Sequence, residues 1–148
     1  MAYATTVLPA KQALDTLLRA YSWTGGAPAI RWGEPTEAED ASLDMIWQGA
    51  PEVRDEYLTL GAARIDENYE LVVVVDVRRY GDDEKATEER AWSLFNQLAA
   101  LLHSNDTLSG AVNRTTGFTF TPSNDVSGPQ QWRTQITVRV AVVGYITP

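Results

Sequence analysis

The sequence of 148 residues contains no cysteine and a single histidine, His103. The missing cysteine excludes disulfides, thiolate zinc sites and cysteine nucleophiles. One histidine excludes metal sites built from several imidazoles, and also a Ser-His-Asp triad with a spare base elsewhere. Because His103 falls in the last turn of a predicted helix, where the helix dipole favours a cation, we interpret it as a helix-end residue rather than a general base.

Basic residues are few, with 12 Lys and Arg against 20 Asp and Glu and a net charge of −8. This balance argues against a nucleic-acid-binding surface, since phosphate neutralisation needs clustered Lys and Arg. No apolar run reaches the roughly 18 residues of a membrane span, and no secretory signal is visible at the start. The hydrophobic fraction of 44% is that of a folded chain, and the length predicts one domain over residues 1–148.

Motifs that would carry chemistry are also missing. The acidic stretch 34–40 lacks the ligand spacing and the glycine of a calcium loop. Gly25, Gly26 and Gly33 do not form a phosphate-binding loop, and no pair of carboxylates stands out for glycoside hydrolysis. We therefore expect no catalytic residue, no cofactor and no metal ligand.

Hydrophobic periodicity predicts two helices and several strands. The first helix covers 9–21, with Leu14, Leu17 and Leu18 on one apolar face. The second is long, from 83 to 103, and begins at the acidic turn 82–84, where a helix N-terminus favours negative charge. Strands are predicted over 29–32, 43–48, 57–65, 69–80, 111–121 and 132–146.

The connections complete the prediction. We expect a tight turn at 66–68, which would pair its two flanking strands as a hairpin, and a loop at 122–128. The run Leu71–Val75 is apolar at every position, which is typical of a central strand covered on both faces. The sequence therefore predicts an α+β domain: an N-terminal helix and one long helix packed on a mostly antiparallel sheet of four to six strands.

Tryptophan and arginine supply the candidates for a subunit or partner interface. Both residue types are enriched at interface centres, and the chain has five tryptophans. Arginine also pairs with carboxylates through two parallel hydrogen bonds. The predicted interface residues come from the tryptophans, the turn after the central strand and the predicted loop: Trp47, Arg78, Arg79, Asp82, Asp83, Asn124, Asp125 and Trp132.

The whole-chain pattern resembles one known family. An amphipathic helix leads to the segment Asp44-Met-Ile-Trp-Gln-Gly49 and to the strand Tyr69-Glu-Leu-Val-Val-Val-Val-Asp-Val77. The long helix, with Glu88-Glu-Arg-Ala-Trp-Ser-Leu-Phe-Asn-Gln-Leu98, is followed by Asn105-Asp-Thr-Leu-Ser-Gly-Ala-Val112. This last run is similar to an Asp-x-x-Leu-x-Gly-x-Val turn between long helix and strand in the tail terminator proteins of long-tailed (siphovirus-type) bacteriophages. The resemblance covers residues 9–146.

The resemblance implies a structural virion protein. Such a protein forms a homo-hexameric ring that caps the tail tube, stops its polymerisation and meets the head–tail connector proteins. DNA passes through the ring without specific binding, and no catalytic residue is implied. The implied location is the head-proximal end of the tail, after assembly in the host cytoplasm and without a membrane. A ring of acidic subunits would repel phosphates and let DNA slide.

Other interpretations remain open at this point. A different head–tail connector or tail-completion protein would differ in its partner and not in its chemistry. A carboxylate-based hydrolase would need a pocket with perturbed carboxylates. A small binding module that used the tryptophans would need a deep apolar cleft.

Overall fold

The computed structural model describes residues 5–35, 44–54, 65–81, 84–112, 114–126 and 131–146. The order of elements begins with a helix and a run of four strands, and a long second helix then separates them from two further strands. The elements are α1 Val7–Ala20, β1 Ala29–Arg31, β2 Asp44–Gln48, β3 Glu52–Arg54, β4 Ile65–Tyr80, α2 Glu84–Ser104, β5 Arg114–Val126 and β6 Gln131–Ile146.

All six strands belong to one mixed sheet, in the order β1-β2-β4-β6-β5. The short strand β3 pairs with β4 beyond the end of β2. Every pairing is antiparallel except that of β1 with β2. The long strands β4 and β6 pair along their whole length and form the centre of the sheet. The predicted α+β class, with two helices on a mostly antiparallel sheet, is confirmed.

Both helices pack on the same face of the sheet. Strand alternation turns every second residue of β4 and β6 toward them. The helices contribute the apolar stripes that their periodicity predicts. The central members of this core are each less than 2% exposed: Leu14, Leu18, Leu71, Val73, Val75, Leu94, Leu98, Ile136, Val138 and Val140.

The opposite face of the sheet, called here the uncovered face, has no helix on it among the described residues. It holds a smaller apolar cluster of Met45, Trp47 and Val74, each less than 9% exposed. The prediction that the run Leu71–Val75 belongs to a central strand is confirmed, and Val73 and Val75 are buried under the helices. The expected cover on the second face is not found among the described residues, where Val74 packs with Met45 and Trp47 instead.

The predicted turn at 66–68 and its hairpin are wrong. Residues 66–68 lie inside β4 and pair with β6. The polar side chain of Glu67 belongs in the strand because it binds the start of α1. It accepts hydrogen bonds from the Thr5 hydroxyl (2.6 Å), the Thr6 hydroxyl (2.7 Å) and the Thr6 amide (2.9 Å). The predicted strand at 57–65 lies outside the described residues, apart from Ile65, which opens β4.

The predicted loop at 122–128 is also wrong where it can be compared. Residues 122–126 continue β5, paired with β6 from Ile136 to Trp132, whereas 127 and 128 are outside the described residues. An edge strand tolerates proline and polar residues because one of its sides needs no ladder partner. The strand also starts later than expected, at Arg114, after a turn in which Leu108 and Ser109 have positive φ.

Arg90 joins α2 to the loop after α1 and to β2. Its Nε donates to Asp44 Oδ2 at 2.7 Å, and its two terminal nitrogens donate to the carbonyls of Thr24 (3.0 Å) and Gly26 (2.6 Å). The loop passes close to the guanidinium, since a Cβ at Gly25 would lie 2.9 Å from Arg90 Nη1. One planar side chain thus fixes three elements relative to each other.

We expect Arg90→Met to lower the free energy of unfolding by about 1.5–3 kcal/mol, as charge-assisted hydrogen bonds of this kind contribute. Arg90→Lys keeps the charge but cannot reach three acceptors in one plane, so it should recover less than half of the loss. Urea denaturation of both variants measures this. Full recovery by lysine would show that charge alone matters at this position.

Candidate interaction surface

A carboxylate lies fully buried on the uncovered face. Asp76 is 0% exposed, although it belongs to strand β4 at a position that neither helix of the described residues covers. It is held by Trp47 on β2, by Arg78 on β4 itself, and by Arg133 and Gln135 on β6. These five residues are called the Asp76 cluster.

Six donor nitrogens of the Asp76 cluster hydrogen-bond the carboxylate of Asp76. Arg133 donates through Nε (3.2 Å) and Nη2 (2.9 Å), and Arg78 through Nε (3.3 Å) and Nη2 (3.2 Å). Gln135 Nε2 (3.1 Å) and Trp47 Nε1 (3.3 Å) complete the set. Both arginines use two nitrogens, the arrangement that fits a carboxylate best. The side chains of Arg78 and Arg133 are only 12% and 22% exposed.

The electrostatics favour the ionised carboxylate. Burial raises the pKa of Asp76, but the hydrogen bonds and charges of Arg133 and Arg78 outweigh burial and hold the pKa below its usual value. Two guanidinium groups against one carboxylate leave one excess positive charge in the Asp76 cluster. A buried ionic group of this type is weak evidence for stability, but it can fix how surfaces fit together.

A second ionic group lies on the helix face. Asp44 Oδ2 accepts from Arg90. Arg79 Nη2 lies 2.5 Å from Asp44 Oδ1. The two groups form an ion pair, but their angles do not meet those of a hydrogen bond. This group links the ends of β2 and β4 to α2. Its contacts lie within one subunit, so no contact with a second subunit is needed to explain the position of Arg79.

The predicted interface residues separate between the two faces. Trp47 and Arg78 meet in the Asp76 cluster, and Asp125 is exposed and pairs in register with Arg133. The residues that alternation turns toward the helix face are Arg79, Asn124 and Trp132, of which Asn124 accepts a hydrogen bond from Thr134. Asp82 and Asp83 lie outside the described residues.

The sequence prediction missed Asp76, Arg133 and Gln135. A signal was present for each of them. Asp76 is the one charge that interrupts the apolar strand before Val77, and Arg133 and Gln135 alternate with the core residues of β6. A charged residue in a central strand needs partners on its own face, and only the strand order shows that β6 supplies them.

An open groove of about 660 Å³ runs along the outer side of α2. We call it the α2 groove. Its floor includes Trp92, whose ring meets the rings of Phe95 and Phe120 edge to face at 5.4 and 5.9 Å. Polar side chains of both charges line the rest: Thr24, Lys85, Glu88, Glu89, Ser93, Asn96 and Gln97. Phe120 on β5 is 48% exposed, so apolar surface continues from the groove onto the sheet edge.

Neither a metal-binding group nor a membrane-spanning helix is found among the described residues. Within the described ranges, no group of three or more His, Asp or Glu residues is placed to hold a metal ion. In the same residues, neither helix is long and apolar enough to cross a membrane. The chain matches no protein-family model. No curated protein matches its sequence significantly.

Proposed function

We propose that this protein is a structural subunit of a phage tail, a tail terminator that acts as a homo-hexameric ring. The observation that carries the proposal is the uncovered face. Both helices pack on one side of the sheet. The other side carries a hydrogen-bonded cluster of arginine, tryptophan and a buried carboxylate. Arginine and tryptophan concentrate where protein surfaces meet.

The shape of the domain supports an assembly function. The two sides of the domain differ, since one is the uncovered face of the sheet and the other is formed by the helices. Contact between unlike sides of neighbouring copies is heterologous and generates a ring when the rotation closes. The edge strand β5 is long, with a register shift between Thr115 and Gly117 and a proline at Pro122. Bulges and proline hinder indiscriminate strand pairing at an edge, which leaves the faces as the specific surfaces.

The partners follow from the proposed role. One side of the ring would meet the end of the tail tube, and the other would meet the head–tail connector proteins. DNA would pass through the central hole without specific contacts. The net charge of −8 per subunit suits such passage, because an acidic lumen does not bind phosphates. The ring would work without catalysis, cofactor or metal, at the head-proximal end of the virion tail.

The proposal is tested by solution mass and by imaging. We expect light scattering at micromolar concentration, alone and with polymerised tail-tube protein, to give a six-subunit mass in at least one condition. Negative-stain images should show six-fold rings, or caps at tube ends, and added protein should stop tube growth. Rings that ignore the tube would instead indicate another head–tail connector. A monomer in every condition would refute the proposal.

A further inference from the structure

The two helices differ in how firmly their apolar side chains hold them on the sheet. Along its 21 residues α2 buries seven side chains, most of them large and apolar. Along its 14 residues α1 buries Ala10, Leu14 and Leu18, and its other core contacts are made by residues that stay partly exposed. Since burial of apolar area stabilises docking roughly in proportion to that area, α1 has less to lose than α2 when it leaves the sheet.

The connection that follows α1 is fixed to α2. Gln97 accepts a hydrogen bond from the Thr24 amide at 2.7 Å and donates one to the Thr24 carbonyl at 3.2 Å. Arg90 donates to the carbonyls of Thr24 and Gly26. Gly25 and Gly26 have φ of +80° and +101°, and glycine can change such a conformation without a steric penalty. We call residues 24–26 the pivot.

The opposite end of α1 is fastened by Glu67. Its carboxylate accepts the three hydrogen bonds from Thr5 and Thr6, and Tyr69 shares one more with the Thr6 hydroxyl. Because the three bonds to Glu67 end on one side chain, they are lost together when the helix rises. Water then takes over these donors and acceptors, so the net cost is much smaller than the gross strength of the bonds. We call Glu67 the catch.

The polar contact beneath the middle of α1 is incompletely satisfied. Gln48 on β2 is 1% exposed, and its Nε2 donates to the Lys11 carbonyl at 3.0 Å. Its Oε1 has no hydrogen-bond partner among the described residues. A buried acceptor without a partner is unfavourable. When α1 rises, water reaches this oxygen, so separation recovers part of its own cost.

We infer that α1 is a latch that swings open from its start, about the pivot, while α2 and the sheet stay folded. Local openings of this kind involve elements with few buried apolar contacts. The open state makes the helix side of β2 accessible, with Ile46 and Gln48, which are 0% and 1% exposed when α1 is docked. The inference concerns the single subunit and does not depend on the proposed ring.

Thiol labelling tests the latch, because the chain has no cysteine of its own. Ala10→Cys and Ala91→Cys make the same small change at 0% exposure, one on the inner side of α1 and the other on that of α2. Under native conditions we expect a thiol reagent to modify Ala10→Cys at least roughly tenfold faster than Ala91→Cys. Equal rates would mean that both positions open only by global unfolding, and would overturn the inference.

Weakening the catch should act on α1 alone. Glu67→Gln removes the charge that holds Thr5 and Thr6, so it should speed the labelling of Ala10→Cys several-fold and leave that of Ala91→Cys unchanged. Circular dichroism checks that each variant is folded. An equal acceleration at both positions would show that Glu67 supports the whole fold, and the latch would be refuted.

A disulfide can take the place of the catch. A Cβ at Gly144 would lie 3.4 Å from the Thr6 Cβ, and natural disulfides have a separation of about 3.8 Å between these atoms. Hydrogen exchange in the first turns of α1 should therefore be slower in the oxidised Thr6→Cys/Gly144→Cys variant than in its reduced form. No difference between the two forms would contradict opening from the start of the helix.

Hydrogen exchange of the wild-type protein decides the question without any substitution. Protection of the α1 amides should be lower than that of the paired amides of β4 and β6, and it should rise from the first turn of α1 toward the pivot. Amides of α1 that are as protected as those of β4 and β6 would overturn the inference, whatever the variants do.

Discussion

Replacement of Asp76 by alanine is expected to lower the free energy of unfolding by about 3–5 kcal/mol, the usual result of removing one partner from a buried ion pair. The carboxylate is 0% exposed and accepts from Arg78, Arg133, Gln135 and Trp47. Its loss leaves two largely buried guanidinium groups to repel each other and leaves their donors without this acceptor. Denaturant unfolding measures the effect.

Two control variants separate charge from geometry. Asp76→Asn keeps the shape but not the charge, and it should fall between alanine and the wild-type protein. The triple variant Asp76→Leu, Arg78→Met and Arg133→Met removes the whole ion pair, so it should regain most of the stability, as apolar replacements of buried ion pairs often do. If the cluster serves assembly, the triple variant should fold and yet fail to form rings. An Asp76→Ala variant as stable as the wild-type protein would contradict the prediction.

The same cluster gives stability a defined dependence on pH. The pKa of Asp76 is lowered in the folded protein, and that of an unfolded aspartate is about 3.9. The folded protein therefore binds fewer protons, and the contribution of Asp76 is fully present above about pH 3.9 and declines as the pH falls through the folded-state value. In the Asp76→Asn variant this part of the acid-induced loss should be missing.

Much of the fold could be predicted because its strongest signals are local. The apolar stripe of α2 contains Leu94 and Leu98, and the alternation of β6 contains Ile136 and Val138, all at 0% exposure. These periodicities decide which face is buried, whatever the topology. The class and order of most elements thus followed from the sequence, whereas the short strand β3 and the pairing of strands did not.

The errors arose where a polar residue had a distant partner. Glu67 and its neighbours have the polar composition of a turn. In the structure, however, Thr5 and Thr6, about sixty residues earlier, donate hydrogen bonds to the carboxylate of Glu67. The sequence around Asp76 gives it no partner, because Arg133 and Gln135, which bind it, lie on β6. Local composition cannot reveal such pairs, because they exist only after the sheet has formed.

Replacement of Glu67 by alanine is the second change with a large expected effect, about 3 kcal/mol in the free energy of unfolding. Glu67 is 6% exposed and accepts three hydrogen bonds at the start of α1, where Thr6, the N-cap residue, makes no side-chain cap of its own. A negative charge at a helix N-terminus is stabilising in itself. Alanine would leave the Thr6 amide without its acceptor.

The residues next to Glu67 cannot replace its carboxylate as the acceptor for the start of α1. Thr6 also shares a hydrogen bond of 2.9 Å with Tyr69. Burial raises the pKa of Tyr69 to about 12; the hydrogen bond shared with Thr6 opposes this rise, and the charge of Glu67 adds to it by a smaller amount. The phenol therefore stays protonated at neutral pH. Opposite Glu67 in register stands Gly144, where a Cβ would lie 2.5 Å from the Thr6 hydroxyl. The sheet thus leaves room for α1 only with glycine at this position.

Glu67→Ala is expected to destabilise the start of α1 more than the rest of the fold. Hydrogen exchange of the amides in the first turns of α1 should accelerate more than that of β4 and β6, because Glu67 makes three of the hydrogen bonds that hold this end of the helix to the sheet. Glu67→Gln retains acceptors but loses the charge, so its loss should be about half as large. Thr16→Ala, at an exposed position of the same helix, is the control and should change little. Equal acceleration throughout the sheet would show that Glu67 supports the whole core rather than the docking of α1, and the assignment of its role would then be wrong.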